Sequence, residues 1–289
     1  MRNRHISLLL FATMILSFTP LFTRFIALDA AVLTWWRVLL AAAILVIHLA
    51  ARRQLQVPPE RLHTLAVTGV LLGLHWWTFF LSIQASSVSI GVLTLFTYPL
   101  MSALLEPVTR GVPYSLRQLV GGIGIVAGVY LLVPEFSFSN SSTRGVAIGL
   151  ISALFYALRN ISTKKHLSEI RTMTTLFYQL LFALLALTLV LALGDHGFTF
   201  PAGQDSGLLL LLALVFTLGG HGLMTHCFKL FSASTVGIVG SLQVVFSTLL
   251  AALLLSEIPD TRIYLGGLVI LSVAVYELLP HYRKDAGGK

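Results

Sequence analysis

The chain has 289 residues, of which 56% are hydrophobic and only 10% charged, and its mean hydropathy is +0.89. Soluble domains usually carry about 25% charged residues, so composition excludes a water-soluble fold and points to an integral membrane protein. A net charge of +8 would suggest nucleic acid as partner in a soluble protein, but here the placement of the charges matters more than their sum.

In chain order, ten apolar stretches can be marked: 6–25, 30–50, 63–83, 88–109, 116–133, 145–163, 172–193, 207–228, 234–255 and 263–280. Each is close to the roughly 20 residues that a helix needs to cross a bilayer. The expected fold is therefore all-α and polytopic, with ten transmembrane helices and connections too short to hold a soluble catalytic domain. With both termini in the cytoplasm of a cell with an inner membrane, Arg2, Arg4, Arg52, Arg53, Arg61, Arg110, Arg117, Lys164, Lys165, Arg171, Lys229, Arg283, Lys284 and Lys289 fall inside. Only Arg24, Arg144 and Arg262 fall outside, while Arg37 and Arg159 lie within spans. A shift of one span would destroy this positive-inside bias. Residues 1–25, with Arg2 and Arg4 ahead of an apolar run, also have the form of a secretory signal. Their counterpart in 145–163 favours a retained first span.

One pattern is written twice. The run from Leu33 to Leu40 returns 142 residues later from Thr175 to Phe182, and the run from Gly73 to Trp76 returns 146 residues later from Gly219 to Gly222. The expected organisation is a first five-helix repeat over 1–134, an external linker over 135–143, and a second repeat with a short cytoplasmic tail over 144–289. Five spans per copy make the second copy inverted, an architecture of secondary transporters whose site lies between the repeats.

Enzymatic signatures are missing from the sequence. The chain has no HExxH zinc pattern, no GxSxG elbow and no GxxxxGK[ST] loop. Its single cysteine, Cys227, excludes an intramolecular disulfide and a cysteine metal cluster. No cofactor is expected. Gly122, Gly124 and Gly128 sit in an apolar run with no strand before them. Together with Gly69, Gly73, Gly145 and Gly149, they read as small residues for close helix packing. Asn140-Ser141-Ser142 reads as a turn.

Ser86-Ser87-Val88-Ser89-Ile90-Gly91-Val92, Tyr98-Pro99-Leu100 and the glycine run from Gly121 to Gly128 have counterparts in the second half. These are Leu154-Phe155-Tyr156-Ala157-Leu158, Ser234-Thr235-Val236-Gly237, the run from Ser247 to Glu257, and Leu265-Gly266-Gly267. In order and spacing the chain resembles the EamA-type permeases of the drug/metabolite transporter superfamily. Such permeases often have a proline in the ninth helix, where this chain has Gln243-Val244-Val245, and a Gly-Glu pair after the fourth, where it has Gly111-Val112. The resemblance implies export or exchange of a small organic metabolite through a central cavity, with sugar-phosphate exchange in other branches of the superfamily.

Ionisable groups inside spans are costly and mark candidate sites. Arg37 could bind a substrate carboxylate with its planar fork, or serve structurally; its repeat mate is Gln179. Glu106 and Arg159 sit at equal depth and form a candidate gating pair. His75 and His221 are matched by the repeat near the midplane, and histidine could hydrogen-bond the substrate or couple transport to protons. Trp76, Phe79, Thr97, Tyr98, Tyr156, Asn160 and Gln243 fall around the same depth as candidate lining residues. Trp77 falls beside them, whereas Trp35 and Trp36 fit an interfacial belt. Pro20 and Pro99 are expected to kink their helices and free carbonyls. The expected partners are a small-molecule substrate, with protons as candidate coupling ion, and the lipid bilayer, but not nucleic acid. A membrane-embedded enzyme or lipid-handling protein using His75, His221 and Glu106 is the alternative from another class.

Overall fold

The computed structural model describes the backbone of residues 2–110, 114, 116–133, 137–230, 236 and 239–287. The side chains of 2–4, 106–110, 117, 225, 228–230 and 277–287 lie outside the description. No strand occurs among the described residues. The helices are α1 (Arg2–Phe18), α2 (Phe22–Phe25), α3 (Ala30–Ala51), α4 (Leu62–Ala85), α5 (Val88–Leu95), α6 (Tyr98–Arg110) and α7 (Leu116–Leu132). They continue with α8 (Ser141–His166), α9 (Thr172–Leu193), α10 (Gln204–Leu211), α11 (His221–Leu230), α12 (Leu242–Leu255) and α13 (Thr261–Gly287). A 3₁₀ turn at Thr19–Leu21 joins α1 to α2, and a π-helix at Leu212–Gly220 joins α10 to α11.

Among the described residues, seven helical segments are long and apolar enough to cross a membrane, and shorter apolar helices cover Gln118–Leu132, Leu242–Leu255 and Thr261–Tyr276. The protein is a polytopic, multi-pass membrane protein. In lipid, polar groups must be satisfied within the protein, and many hydroxyls here bond to a carbonyl one turn back. Thr13, Ser17, Thr34, Thr68, Thr78 and Thr94 all donate in this way at 2.6 to 2.9 Å. Side chains also close helix starts. Asp29 caps α3, Ser87 caps α5, and Asn140 caps α8, so the expected turn at 140–142 is the start of a helix.

Pro20 and Pro99 each fall at a break in the expected span. Proline has no N–H for the carbonyl four residues back, so Pro20 releases Leu16 O, which accepts from Gln243 Nε2 at 3.4 Å. One residue on, Ser17 O accepts from Ser247 at 2.9 Å. The carbonyls around the kink are thereby satisfied from α12, in the other half of the chain. The expected span 88–109 is likewise split: helix α5 ends at Leu95 and α6 restarts at Tyr98, with Thr97 donating to Thr94 O at 2.7 Å.

Glycines set the closest approaches. A Cβ on Gly69 would sit 2.7 Å from Gln179 O, and one on Gly73 would sit 3.0 Å from Ala183 Cα, so α4 and α9 run side by side in the same direction. Gly128 and Gly266 face each other where α7 meets α13, and Gly145 and Gly149 admit Ser86 and Thr94. Contacts across the two halves come in reciprocal sets. Helices α4 and α8 pack together, as do α1 and the segment from Leu212 to Leu230. Helix α5 meets α8 as α12 meets α1, while α3 packs on α9 and α7 on α13.

Candidate functional site

A cavity of about 410 Å³ lies between the halves. Its wall takes Leu16 and Thr19 from the start of the chain, Arg37 from α3, Leu72, His75, Trp76 and Phe79 from α4, and Leu95, Phe96 and Tyr98 around the α5 to α6 break. The second half supplies Tyr156, Arg159, Thr163 and Lys164 from α8, Thr172, Thr175, Leu176 and Gln179 from α9, His221 and Met224 from α11, and Gln243 from α12. The cavity reaches the turn between α8 and α9, where Leu167, Ser168 and Ile170 line it and Lys164 and Ser168 are exposed.

The opposite end is closed. Leu21, Phe22, Phe80, Ile83, Leu95 and Phe216 are all buried there. Beyond them, Arg24 Nε bonds Glu257 Oε1 at 2.8 Å and Arg24 Nη2 bonds Ser86 O at 2.8 Å. The other carboxylate oxygen of Glu257 accepts from Val88 N at 2.9 Å. Ser256, in the left-handed conformation at φ 56°, ends α12 and turns Glu257 toward this clamp. Three chain segments distant in sequence are thus held together by one ion pair.

Arg37 is 1% exposed. Its guanidinium lies 4.1 Å from the Trp76 ring centroid and 5.3 Å from that of Phe80, so two aromatic faces fix its plane. Its Nε donates to Thr217 Oγ1 at 2.7 Å, and Thr217 in turn donates to Leu212 O five residues back. The π-helix places that hydroxyl, an irregularity often found at functional sites. Among the described residues, the terminal nitrogens of Arg37 have no hydrogen-bond acceptor.

Arg159 is held by amides. Its Nη2 bonds Gln179 Oε1 at 2.6 Å and its Nη1 bonds Asn160 Oδ1 at 3.0 Å. The Gln179 amide nitrogen donates to Thr68 at 3.0 Å and Thr163 at 3.1 Å, which turns its oxygen toward the arginine. Arg159 Nε is buried without a partner among the described residues.

His75 is buried and exchanges bonds with Ser152: its Nδ1 lies 2.8 Å from Ser152 Oγ, which donates to His75 O at 2.9 Å. Tyr156 stacks on it at 4.6 Å, and Tyr98 meets Tyr156 edge-on at 4.7 Å. His221 packs against Trp76 at 5.6 Å.

Arg37, His75, Trp76, Phe79, Tyr98, Tyr156, Arg159, His221 and Gln243 therefore meet on one wall system. Thr97 does not line it, being fully buried, and Asn160 acts behind Arg159. The Glu106 side chain lies outside the described residues. Trp77 points away, its ring meeting His196 edge-on. Trp35 and Trp36 also stay off the cavity, bonding Thr188 and Thr199 O within an aromatic cluster that includes Phe198. Sequence reasoning set Gln179 only as the mate of Arg37. A fully buried amide in a span is itself a costly group, and that was the signal available for it.

Such a cavity joins apolar walls to a few fixed polar groups between the two halves of the chain, and the family's sequence model matches residues 3–133 and 143–276, described as the EamA-like transporter family. The chain belongs to the EamA-like transporter family. A pseudopaline exporter, CntI, of Pseudomonas aeruginosa is 30% identical over 223 residues, 73% of each chain. An S-adenosylmethionine uptake transporter of Rickettsia felis is 24% identical over 72% of this chain and 69% of its own. One crystal structure, 16% identical, superposes with a TM-score of 0.64 over 96% of this chain and 98% of its own, which supports the fold. The family and these relatives point to a small-molecule transporter rather than an enzyme.

Proposed function

We propose that this EamA-family transporter is a secondary carrier that exports a small organic metabolite, amino-acid-like or aromatic, across the inner membrane by alternating access. The observation that carries this reading is one cavity walled by both halves, reaching one face and sealed from the other. Its volume is within the range of about 300 to 1,000 Å³ common for small-molecule sites.

The halves are read as inverted repeats of five spans. Their reciprocal contacts support this, because a two-fold axis in the membrane plane maps α4 on α8 to the π-containing segment on α1 and returns α3 on α9 and α7 on α13 to themselves. Both termini are assigned to the cytoplasm on the charge bias, and the mouth beside Lys164, Lys165 and Arg171 then faces the cytoplasm. In this state the carrier loads from inside. Rocking of the halves breaks the Arg24 and Glu257 clamp, parts the apolar layer beneath it and seals the α8 to α9 mouth.

Purified protein in liposomes, preloaded with a broad panel of labelled metabolites, tests the reading. Saturable efflux of at least one solute is expected, with a pH gradient changing its rate if protons are coupled. No flux and no binding across the panel overturns it.

A further inference from the structure

The charges inside the cavity specify more than a small solute. Arg37 and Arg159 both line it, from opposite halves of the chain, and among the described lining residues none is Asp or Glu. Among the described residues each guanidinium is held by neutral oxygens: Thr217 for Arg37, Gln179 and Asn160 for Arg159. With Lys164 at its mouth the chamber is lined by three cations, and no carboxylate among the described lining residues balances them, an arrangement that a low-dielectric site penalises until anions enter.

The two arginines differ in which donors are engaged. Thr217 spends its own proton on Leu212 O, so it can only accept from Arg37 Nε. This leaves the terminal edge of Arg37 as an unoccupied fork, with its plane fixed by Trp76 and Phe80. In Arg159 both terminal nitrogens bond neutral amide oxygens and Nε is buried without an acceptor among the described residues, so a carboxylate engages Arg159 by taking the place of an amide oxygen. Planar guanidinium edges recognise carboxylates with charge-assisted bonds. The rings of Trp76, Phe79, Phe96, Tyr98 and Tyr156 line the same cavity.

We infer that the transported solute is a small organic diacid, with one carboxylate on the Arg37 fork, the other on Arg159, and its carbon body against the aromatic wall. The inference rests on the carrier reading and narrows its solute to a diacid, in place of a zwitterionic amino acid. A zwitterionic amino acid would bring a further cation into the chamber, and a monocarboxylate would leave one arginine unpaired.

The test compares binding and flux of an aliphatic and aromatic dicarboxylate series, the matching monocarboxylates, zwitterionic amino acids and phosphate monoesters. Thermal stabilisation of the purified protein reads binding, and labelled efflux from liposomes reads transport. Dicarboxylates are expected to bind at least about tenfold more tightly than their monocarboxylate partners, the loss of one charge-assisted anchor. Arg37→Gln and Arg159→Gln are each expected to erase that preference. Gln179→Glu keeps the shape of the amide while placing an anion beside Arg159. The folded variant is therefore expected to favour monocarboxylates over dicarboxylates, a reversal that a purely structural arginine would not produce.

Equal binding of monocarboxylates or amino acids, tightest binding of phosphate monoesters, or a dicarboxylate preference that survives both arginine substitutions would each overturn the diacid assignment. All three leave the carrier standing, since solute still moves. A panel of acids with no flux also overturns it, whereas only failure of the broader metabolite panel overturns the carrier itself.

Discussion

At the scale of single residues, the two histidines matched by the repeat have different surroundings. His75 is 4% exposed and its ring and carbonyl are both bonded to Ser152, while His221 is half-buried and makes no hydrogen bond among the described residues. Removing one partner of a buried bond leaves the other unsatisfied, at a cost of about 1–3 kcal/mol. His75→Ala is therefore expected to lose about 2 kcal/mol of stability, because Ser152 loses its ring partner within the α4 to α8 contact. His221→Ala is expected to fold with near wild-type stability but to transport more slowly, since it alters only the cavity wall beside Trp76. Thermal denaturation in detergent paired with liposome efflux separates the two; equal stability losses would contradict the assignment. Repetition in sequence pointed to both residues, and both line the cavity. It could not show that one is tied into the structure, because the tie, Ser152, lies on a helix 77 positions away.

At the scale of helices, the α4 to α9 contact positions the site. Gly69 faces the backbone of Gln179, and Gln179 holds Arg159. A Gly69→Val substitution would drive its Cβ against Gln179 O and Phe182 Cβ, both 2.7 Å away. Overpacking of this kind costs about 1–3 kcal/mol, and here it also displaces the amide from the arginine. The expected result is a lowered melting temperature together with a loss of solute binding larger than the stability loss explains, measured by ligand-induced stabilisation. Gly122, which has no neighbour within 4 Å of an added Cβ, is the control: Gly122→Ala is expected to leave binding unchanged. The glycine pairs were legible as packing positions from spacing alone. Breaks in the helices were legible only in part. Pro20 and Pro99 announced theirs, while the π-helix at Leu212–Gly220 carries no proline and arises where Thr217 bonds both Arg37 and Leu212.

At the scale of the whole molecule, one ion pair outside the cavity joins the end of α2, the turn before α5 and the end of α12. The side chains of Arg24 and Glu257 are 28% and 22% exposed, so the pair is only partly desolvated and its energy is modest. Modest strength suits the proposed cycle, in which this contact breaks at each turnover. Arg24→Ala or Glu257→Ala is expected to shift the population toward the state open at that face. In a Cys227→Ser background, a Thr19→Cys reporter on the cavity wall should then react faster with a membrane-impermeant thiol reagent added from outside. The exchanged pair, Arg24→Glu with Glu257→Arg, is expected to restore slow labelling. Unchanged labelling in both single variants would remove the clamp from the transport cycle.

Composition and hydropathy sufficed for a helical membrane protein, since a bilayer admits few backbone solutions and each leaves a length signature. The duplicated runs and the motif order sufficed for the transporter family, and they set His75 and His221 at one depth. Depth along a helix follows from counting residues, but the face a helix presents depends on its rotation and on which neighbour it meets. For that reason the sequence left Arg37 and Arg159 as separate groups, while the expected pairing of Arg159 with Glu106 falls on a side chain outside the described residues. Tertiary packing brings both arginines to one cavity and gives Arg159 two amides, because glycine-mediated approach of α4 to α9 and the crossing of α8 place Gln179, Thr68 and Thr163 around one point.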